Sequence, residues 1–373
     1  MNLMLTMLVG SMLMQCNSDL QTKAEENMQK LELTQEWDKT FPQSEKVIHS
    51  KVTFDTQYGM TLAADLYIPK NVEGKLPAIA VSGPFGAVKE QCSGLYAQTM
   101  AERGFVTLAF DPSYTGESSG EPRRTASPDI NTEDFMAAVD YLSQLENVDT
   151  GRIGLIGICG WGGIALNAAA ADTRIKATLA ATMYDMTRVS GNGYFDSADN
   201  EEVRHASHEG HSKQRLVDPL AMAGGVIDPL PDDAPLFVKD YHDYYKTERG
   251  YHVRSGNSND GWRIIGTQAY ANCRFLYYIN EIRSAVMIMH GDKAHSLYFG
   301  EAAYNYMVNG NADGYNFTGK PNPAPGNKQL LIIPGASHCD LYDGGYTEPA
   351  GKGEPKNMIP WDKIETFFTE YLK

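Results

Sequence analysis

The chain has 373 residues, of which 42% are hydrophobic and 21% charged, a composition typical of a folded globular protein rather than a disordered one. Its formal net charge of -15 argues against nucleic acid and against an anionic membrane surface as partners, because no basic face would neutralise phosphates. The length permits one large α/β domain or two smaller ones.

The first 16 residues, MNLMLTMLVGSMLMQC, are too short to span a bilayer but fit the apolar core of a secretory signal, which we predict here; the alternative is an N-terminus that is not a cleaved signal. Their end, LMQC, resembles a bacterial lipoprotein box whose cysteine, Cys16, becomes lipidated. We therefore expect an exported protein, in the periplasm or anchored to the membrane through Cys16. Without a working signal the protein would be cytoplasmic. Residues 17–40 would be a polar tether and residues 41–373 the folded domain.

Strands and helices alternate along that domain. Residues 46–69 alternate apolar and polar side chains, which predicts two antiparallel strands around a Tyr58-Gly59 turn. Apolar runs predict the further strands, at 76–81, 105–110, 153–157, 175–183, 285–290 and 329–334. Helical patterns predict helices at 92–103, at 132–146 behind an Asn131/Thr132 cap, directly after the glycine turn near 160, and at 360–372. This order predicts an α/β fold with a mostly parallel central sheet flanked by helices.

The segment 186–275 interrupts this alternation. It is too long for a plain loop, and we predict a mostly helical, irregular cap over the active site. Three histidines in it recur every third residue and are candidate metal ligands, or simply a polar helix surface: His205, His208 and His211. Five aromatic residues in it would line a substrate pocket or pack the cap: Tyr241, Tyr244, Tyr245, Tyr251 and Trp262.

The stretch GLIGICGWGG, residues 154–163, reads as a strand, a sharp turn and a helix with Cys159 at the apex. A nucleophile in such a turn adopts a strained backbone, so its neighbours must be small. Gly157, two residues before Cys159, meets this requirement. Trp161 occupies the position of the usual second glycine, so Gly160 and Gly162 must accommodate the bend. The helix N-terminus at the apex would favour a thiolate. The alternative is a small buried cysteine in a tight bend.

His338 follows the last predicted strand, in PGASH, and is the best candidate for the general base. The acid would come before it in the chain, after the strand at 285–290. The position three residues after the glycine of HGDKAHS is Ala294, so Asp292 is the nearest carboxylate there. Asp185, after the strand that follows the elbow, is the second candidate, and Glu301 is among the remaining acids.

An oxyanion hole needs two backbone N–H groups, one from the residue after the nucleophile and one from the loop after the third strand. Gly160 supplies the first. In the loop SGPFG, Pro84 has no N–H, so Phe85 is the candidate for the second.

Five segments together resemble the α/β-hydrolase superfamily, and within it the dienelactone-hydrolase-like and polyketide-transferase-like proteins: GICGWGG, GPFGAVKEQ, AFDPSYTGESSGEPR, HGDKAHS and PGASHCDLYD. The resemblance covers about residues 45–373 and is weakest over the 186–275 insertion. It implies a cysteine nucleophile at Cys159 and its histidine at His338.

The resemblance implies cleavage or transfer at an ester, lactone or thioester carbonyl of a small molecule, without metal or organic cofactor. With Asp292 as the third member, Cys159 and His338 would form a Cys-His-acid triad that passes through a covalent acyl-enzyme. The alternatives are an acyltransferase of the same mechanism and a catalytically silent α/β-hydrolase fold that only binds ligands.

Overall fold

An eight-stranded sheet lies at the centre of the computed structural model, which describes residues 31–372. Its strands are β1 (Val47–Asp55), β2 (Thr61–Pro69), β3 (Leu76–Ser82), β4 (Val106–Phe110), β5 (Val148–Ile158), β6 (Ile175–Ala181), β9 (Ala285–Gly291) and β10 (Lys328–Ile333). Two short pairs lie outside it, β7 (Met222–Gly224) with β8 (Gly261–Arg263), and β11 (Tyr346–Glu348) with β12 (Lys352–Pro355).

The strand order is β1-β2-β4-β3-β5-β6-β9-β10, and only β1 with β2 and β2 with β4 are antiparallel. The other five pairs are parallel. The strands β3 to β6 are nearly continuous apolar runs because both faces of the sheet are covered by helices. The predicted α/β fold with a mostly parallel sheet is confirmed.

Ten α-helices are described: α1 (Cys92–Glu102), α2 (Pro128–Gln144), α3 (Gly160–Ala171), α4 (Met186–Asn192), α5 (Glu201–Val217), α6 (Leu236–Tyr245), α7 (Ile264–Ala271), α8 (Leu297–Asn309), α9 (Asp340–Asp343) and α10 (Trp361–Tyr371). Two boundaries differ from the prediction by four residues or more. Helix α2 begins at Pro128, four residues earlier, because the fixed φ of proline suits a first helical position. Strand β5 begins at Val148, because its first residues continue the pairing with β3 beyond the apolar run.

The chain between β6 and β9 contains the helices α4 to α7, the β7–β8 pair and two 3₁₀ turns, Tyr194–Asp196 and Phe275–Glu281. Much of it is polar, and α5 has no buried residue. Its later part packs against the loop after β3, which brings it to the carboxyl ends of the central strands.

The predicted signal, the lipidation site Cys16 and most of the predicted tether lie outside the described residues. The four cysteines that are described, Cys92, Cys159, Cys273 and Cys339, form no disulfide. Within residues 31–372, none of the helices combines the length and the apolarity needed to cross a membrane.

Candidate active site

Cys159 lies at the apex of the turn between β5 and α3, with φ 58° and ψ -127°. A non-glycine residue rarely adopts a positive φ, and such strain persists only where the surroundings enforce it. The Cys159 N–H donates to the carbonyl of Ala181 at 3.0 Å. Its own carbonyl accepts from the N–H groups of Gly162 and Tyr184, both at 2.9 Å. These three bonds hold the strained turn against the end of β6.

The glycines of the turn lie where side chains have no room. A Cβ at Gly157 would collide with the carbonyl of Trp161, and one at Gly160 would come within 2.8 Å of the Phe85 side chain. Trp161 itself is fully buried and points away from the turn, edge-on to Phe110 and Phe135 with ring centroids 5.7 and 5.2 Å away. The bend therefore tolerates tryptophan at the usual glycine position because that side chain belongs to the core.

Two backbone N–H groups, those of Gly160 and Phe85, lie beside the sulfur of Cys159 and act to lower the pKa of its thiol. Gly160 begins α3, and Phe85 belongs to the loop after β3. Asn257, from the insertion, fixes that loop: its side-chain amide donates to the Phe85 carbonyl at 2.7 Å, and its N–H donates to the Gly86 carbonyl at 3.1 Å. The structure thus brings the two predicted oxyanion donors together, with the insertion as a clamp.

Burial raises the pKa of the Cys159 thiol, although both N–H groups and the phenols of Tyr342 and Tyr241 oppose the effect. The expectation that the helix N-terminus favours a resting thiolate is therefore not met. Removing a charged sulfur from water raises the pKa by more than the helix dipole and these neighbouring groups lower it. The resting group is a neutral thiol, which needs a base to become nucleophilic.

His338 is buried beside this turn, and hydroxyl groups surround its ring. Its Nδ1 lies 2.7 Å from Ser296 Oγ and 2.9 Å from Thr182 Oγ1. Its Nε2 lies 3.0 Å from the phenol of Tyr342. Burial holds the pKa of His338 well below its ordinary value, and the neighbouring His295 adds to this. The imidazole is therefore neutral at physiological pH.

Tyr342 lies between the two predicted catalytic residues: its phenol is 3.0 Å from Nε2 of His338 and lies close enough to the Cys159 thiol to act to lower its pKa. The phenol has a single proton. If that proton is donated to His338 Nε2, the phenolic oxygen is free to accept the S–H of the thiol. Burial raises the pKa of Tyr342 well above its usual value, so the phenol is neutral.

The predicted acid Asp292 does not reach His338. It is exposed, and its carboxylate accepts the N–H of Gly335 at 2.7 Å, which closes the turn after β10. The second candidate, Asp185, caps α4 by accepting from the N–H groups of Thr187 and Arg188. Within residues 31–372, the polar contacts of the His338 ring are all hydroxyls.

Sequence reasoning missed the residues that contact His338. Tyr342 stands four residues after His338, a spacing that brings two side chains together across one helical turn and could have indicated the contact. Ser296 lies in the HGDKAHS segment, two residues past the expected acid position at Ala294. Thr182 carries no sequence signal, but its φ of 42° is unusual for a β-branched residue and marks a strained position.

A second chain of hydroxyls leads from Cys159 in another direction. The phenol of Tyr241 lies near the thiol, whose pKa it acts to lower, and is 2.9 Å from the phenol of Tyr184, which in turn contacts His295 Nε2. His295 is half-buried, and burial lowers its pKa to about 4. The thiol is thus surrounded by neutral groups on both sides.

A cavity of about 540 Å³ opens onto Cys159, which is within the range of about 300–1,000 Å³ usual for small-molecule sites. Three of the five aromatic residues proposed from the sequence line it, Tyr241, Tyr245 and Trp262. Tyr244 packs in the core instead, and Tyr251 is exposed. His338 does not line this cavity but a second one, together with charged side chains such as Asp240 and Arg249.

The histidines His205, His208 and His211 lie along α5, which has no buried residue. The one cluster of possible metal ligands within the described residues is elsewhere, at Glu90, Asp111 and Glu117.

The ammonium group of Lys89 contacts all three of these carboxylates at 2.7–2.8 Å, so this cluster is a buried ion-pair network. It anchors the loop that carries Phe85.

A family model described as X-Pro dipeptidyl-peptidase (S15 family) matches residues 58–304, a range that includes Cys159 but ends before His338. The chain is 54% identical over 351 residues to the uncharacterized protein PA2218 of Pseudomonas aeruginosa, covering 93% of this chain and 86% of that protein. The crystal structure of PA2218 has a TM-score of 0.82 to this chain, with 52% identity over 92% of this chain and 100% of that one.

Two further relatives are more distant. The uncharacterized protein YcjY of Escherichia coli is 32% identical over 309 residues, which is 80% of this chain and 94% of that protein. Thiohydrolase aneE of Aspergillus aculeatus is 35% identical over 133 residues, which is 36% of this chain and 41% of the enzyme.

Proposed function

The chain belongs to the X-Pro dipeptidyl-peptidase (S15) family within the α/β-hydrolase superfamily, and on that premise we propose that it cleaves an ester, lactone or thioester bond through an acyl-enzyme on Cys159. The observation that supports the proposal most directly is the position of the Cys159 sulfur. It lies beside the N–H groups of Gly160 and Phe85 and beside the phenol of Tyr342, which contacts His338 Nε2 at 3.0 Å.

In the first step the proton leaves the thiol through Tyr342. The S–H proton passes to the phenolic oxygen as the phenolic proton passes to His338 Nε2. The phenol is unchanged, and a thiolate and an imidazolium remain. Ser296 and Thr182 accept from Nδ1–H and so orient the ring, which is the part of the acid's role that neutral hydroxyls can take over.

The thiolate then attacks the carbonyl carbon, and the N–H groups of Gly160 and Phe85 bind the oxygen as it becomes negative. The leaving group takes the proton from the imidazolium, and a thioester to Cys159 remains. Water resolves the thioester by the reverse sequence, with His338 drawing its proton. No metal or organic cofactor takes part in this proposal.

Transfer to an alcohol or amine is a second candidate, and the burial of Cys159 supports it. Cys159 is only 8% exposed, and the cavity that it lines has largely apolar and aromatic walls, which bind water poorly. Competition experiments, in which the products are quantified as an added alcohol or amine is increased, distinguish the two. Hydrolysis predicts the free acid throughout, whereas transfer predicts that the acceptor product dominates.

The test is mass spectrometry of the intact protein and its peptides after brief reaction with p-nitrophenyl acetate. We expect an acetyl group on Cys159 and none on Cys92, Cys273 or Cys339, with turnover lost in Cys159→Ala. Full activity of Cys159→Ala on accepted esters would refute the nucleophile. No acylation, together with equal and slow reaction of all four thiols with iodoacetamide, would favour a fold that only binds ligands.

A further inference from the structure

We propose that the acyl group accepted by this protein is uncharged and apolar, an inference that rests on the proposed function and adds the substrate class to it. The inference comes from the cavity that opens onto Cys159. It is distinct from the question of which bond is broken, because it concerns the part of the substrate that stays on the enzyme.

The walls of the cavity are the first observation. None of the described residues that line it is an aspartate, glutamate, lysine, arginine or histidine. Its apolar lining consists of Phe85, Met186, Val189, Val226, Ile227, Val238 and Trp262. The polar atoms are those of phenols, two hydroxyl side chains, one amide and the thiol, all of them neutral groups.

The neutrality of these groups is the second observation. Burial raises the pKa of Cys159 and of the phenols around it, including Tyr241, Tyr245 and Tyr342. The guanidinium of Arg188, the residue before the lining residue Val189, is paired with Asp196 at 2.5 Å and lies over the ring of Tyr298, which does not line the cavity. A carboxylate carried into this space would therefore lose its hydration and find no cation.

The location of charge in the neighbouring cavity is the third observation. Charged side chains line the cavity on the His338 side, among them Lys239, Asp240, Arg249 and Lys293. The cavity with Cys159 and Phe85 is thus the uncharged one of the two. The acyl carbon must bond to Cys159 with its oxygen at Phe85, so the acyl chain extends into the uncharged cavity.

The experiment compares matched p-nitrophenyl esters. A straight-chain series from acetyl to octanoyl should show kcat/KM rising about fourfold per methylene until the cavity is filled. The hemi-ester of octanedioic acid, which ends in a carboxylate, should fall at least about a hundredfold below its methyl ester of nearly equal length. Equal rates for the acid and its methyl ester would overturn the inference while leaving the nucleophile intact.

A designed charge provides the converse test. Val238→Arg places a guanidinium on the half-buried face of α6 that lines the cavity, and we expect it to raise the ratio of acid to methyl-ester turnover at least about tenfold. Leu216→Arg adds the same charge at an exposed position of α5, where the side chain is 89% exposed, and should leave the ratio unchanged. An equal effect of both variants would contradict a role for the cavity.

Binding separates this inference from the proposed function. If no ester is turned over, the proposed function fails, and calorimetry on Cys159→Ala still tests the cavity. Octanamide should then bind at least about tenfold more tightly than 8-amino-8-oxooctanoate, which differs by a terminal carboxylate. Equal binding of the two, or no binding of either, would refute an uncharged acyl site.

Discussion

Ser296 Oγ lies 2.7 Å from Nδ1 of His338, and Thr182 Oγ1 lies 2.9 Å from the same nitrogen. A hydroxyl can accept the Nδ1–H and so hold the imidazole in the tautomer whose Nε2 is a base. It cannot offset the charge of an imidazolium as a carboxylate would. The pair therefore fixes the orientation of His338 while leaving it a weaker base than a histidine bound to an acid.

Ser296→Ala is expected to lower kcat/KM about tenfold, because one of the two hydrogen bonds that orient His338 is lost. Ser296→Asp should raise the pKa of His338 by placing a carboxylate at Nδ1, and so move the acidic limb of the pH profile of kcat/KM to higher pH. Ser337→Ala is the control, since that hydroxyl donates to Asp240 instead. An unmoved acidic limb in Ser296→Asp would contradict the contact.

Tyr342→Phe is expected to reduce kcat/KM by about 10²–10³, because it removes the phenol that joins Cys159 to His338. The remaining activity should increase with pH up to the raised pKa of the thiol, since hydroxide must then remove the proton. Tyr244→Phe is a matched control, because this ring packs edge-on against Tyr342 while its phenol lies near Cys92. Wild-type kinetics in Tyr342→Phe would exclude the phenol from proton transfer.

The fold could be predicted from the sequence because strand and helix periodicity is local and repeats many times along the chain. The turn at Cys159 could be located for the same reason, since its glycines are adjacent in sequence. The partner of His338 could not, because Asp292 and Ser296 lie four residues apart in one loop, and only the path of that loop decides which of them faces the ring. The effect of Trp161 on the turn could not be predicted either, because it depends on the direction in which this one side chain points.

Trp161→Ala should lower the free energy of unfolding by about 3–5 kcal/mol, because the indole is fully buried between Phe110 and Phe135. Trp161→Phe should lower the free energy of unfolding by less, since it keeps an aromatic ring in the same space. Urea denaturation measures both values. Trp161→Gly restores the usual glycine and should nevertheless be as unstable as the alanine variant. A stable glycine variant would mean that the side chain is not part of the core.

The ion pairs of Lys89 predict how the stability of the fold depends on pH in the acidic range. Lys89 pairs with Glu117, and its ammonium together with that of Lys51 lowers the pKa of Glu117 to about 2 from an ordinary value of 4.5. Between these values the unfolded chain binds a proton on Glu117 that the folded chain does not. The stabilisation is therefore present above about pH 4.5 and is lost as the pH falls towards 2. The burial of Asp111 raises its pKa and acts in the opposite direction, so the variants must isolate Glu117.

Urea denaturation at pH 6, 4.5 and 3 should accordingly show that the free energy of unfolding of the wild type declines as the pH falls. The decline should be shallower in Glu117→Gln, because the variant has no carboxylate to protonate at this position. Lys89→Met leaves buried carboxylates without their cation and should lower the free energy of unfolding by about 3–5 kcal/mol at pH 6. Glu301→Gln, an exposed acid outside the network, controls for the loss of one charge. A decline in Glu117→Gln as steep as in the wild type would place the acid sensitivity in other carboxylates, such as Glu90, whose pKa the ammonium of Lys89 also lowers.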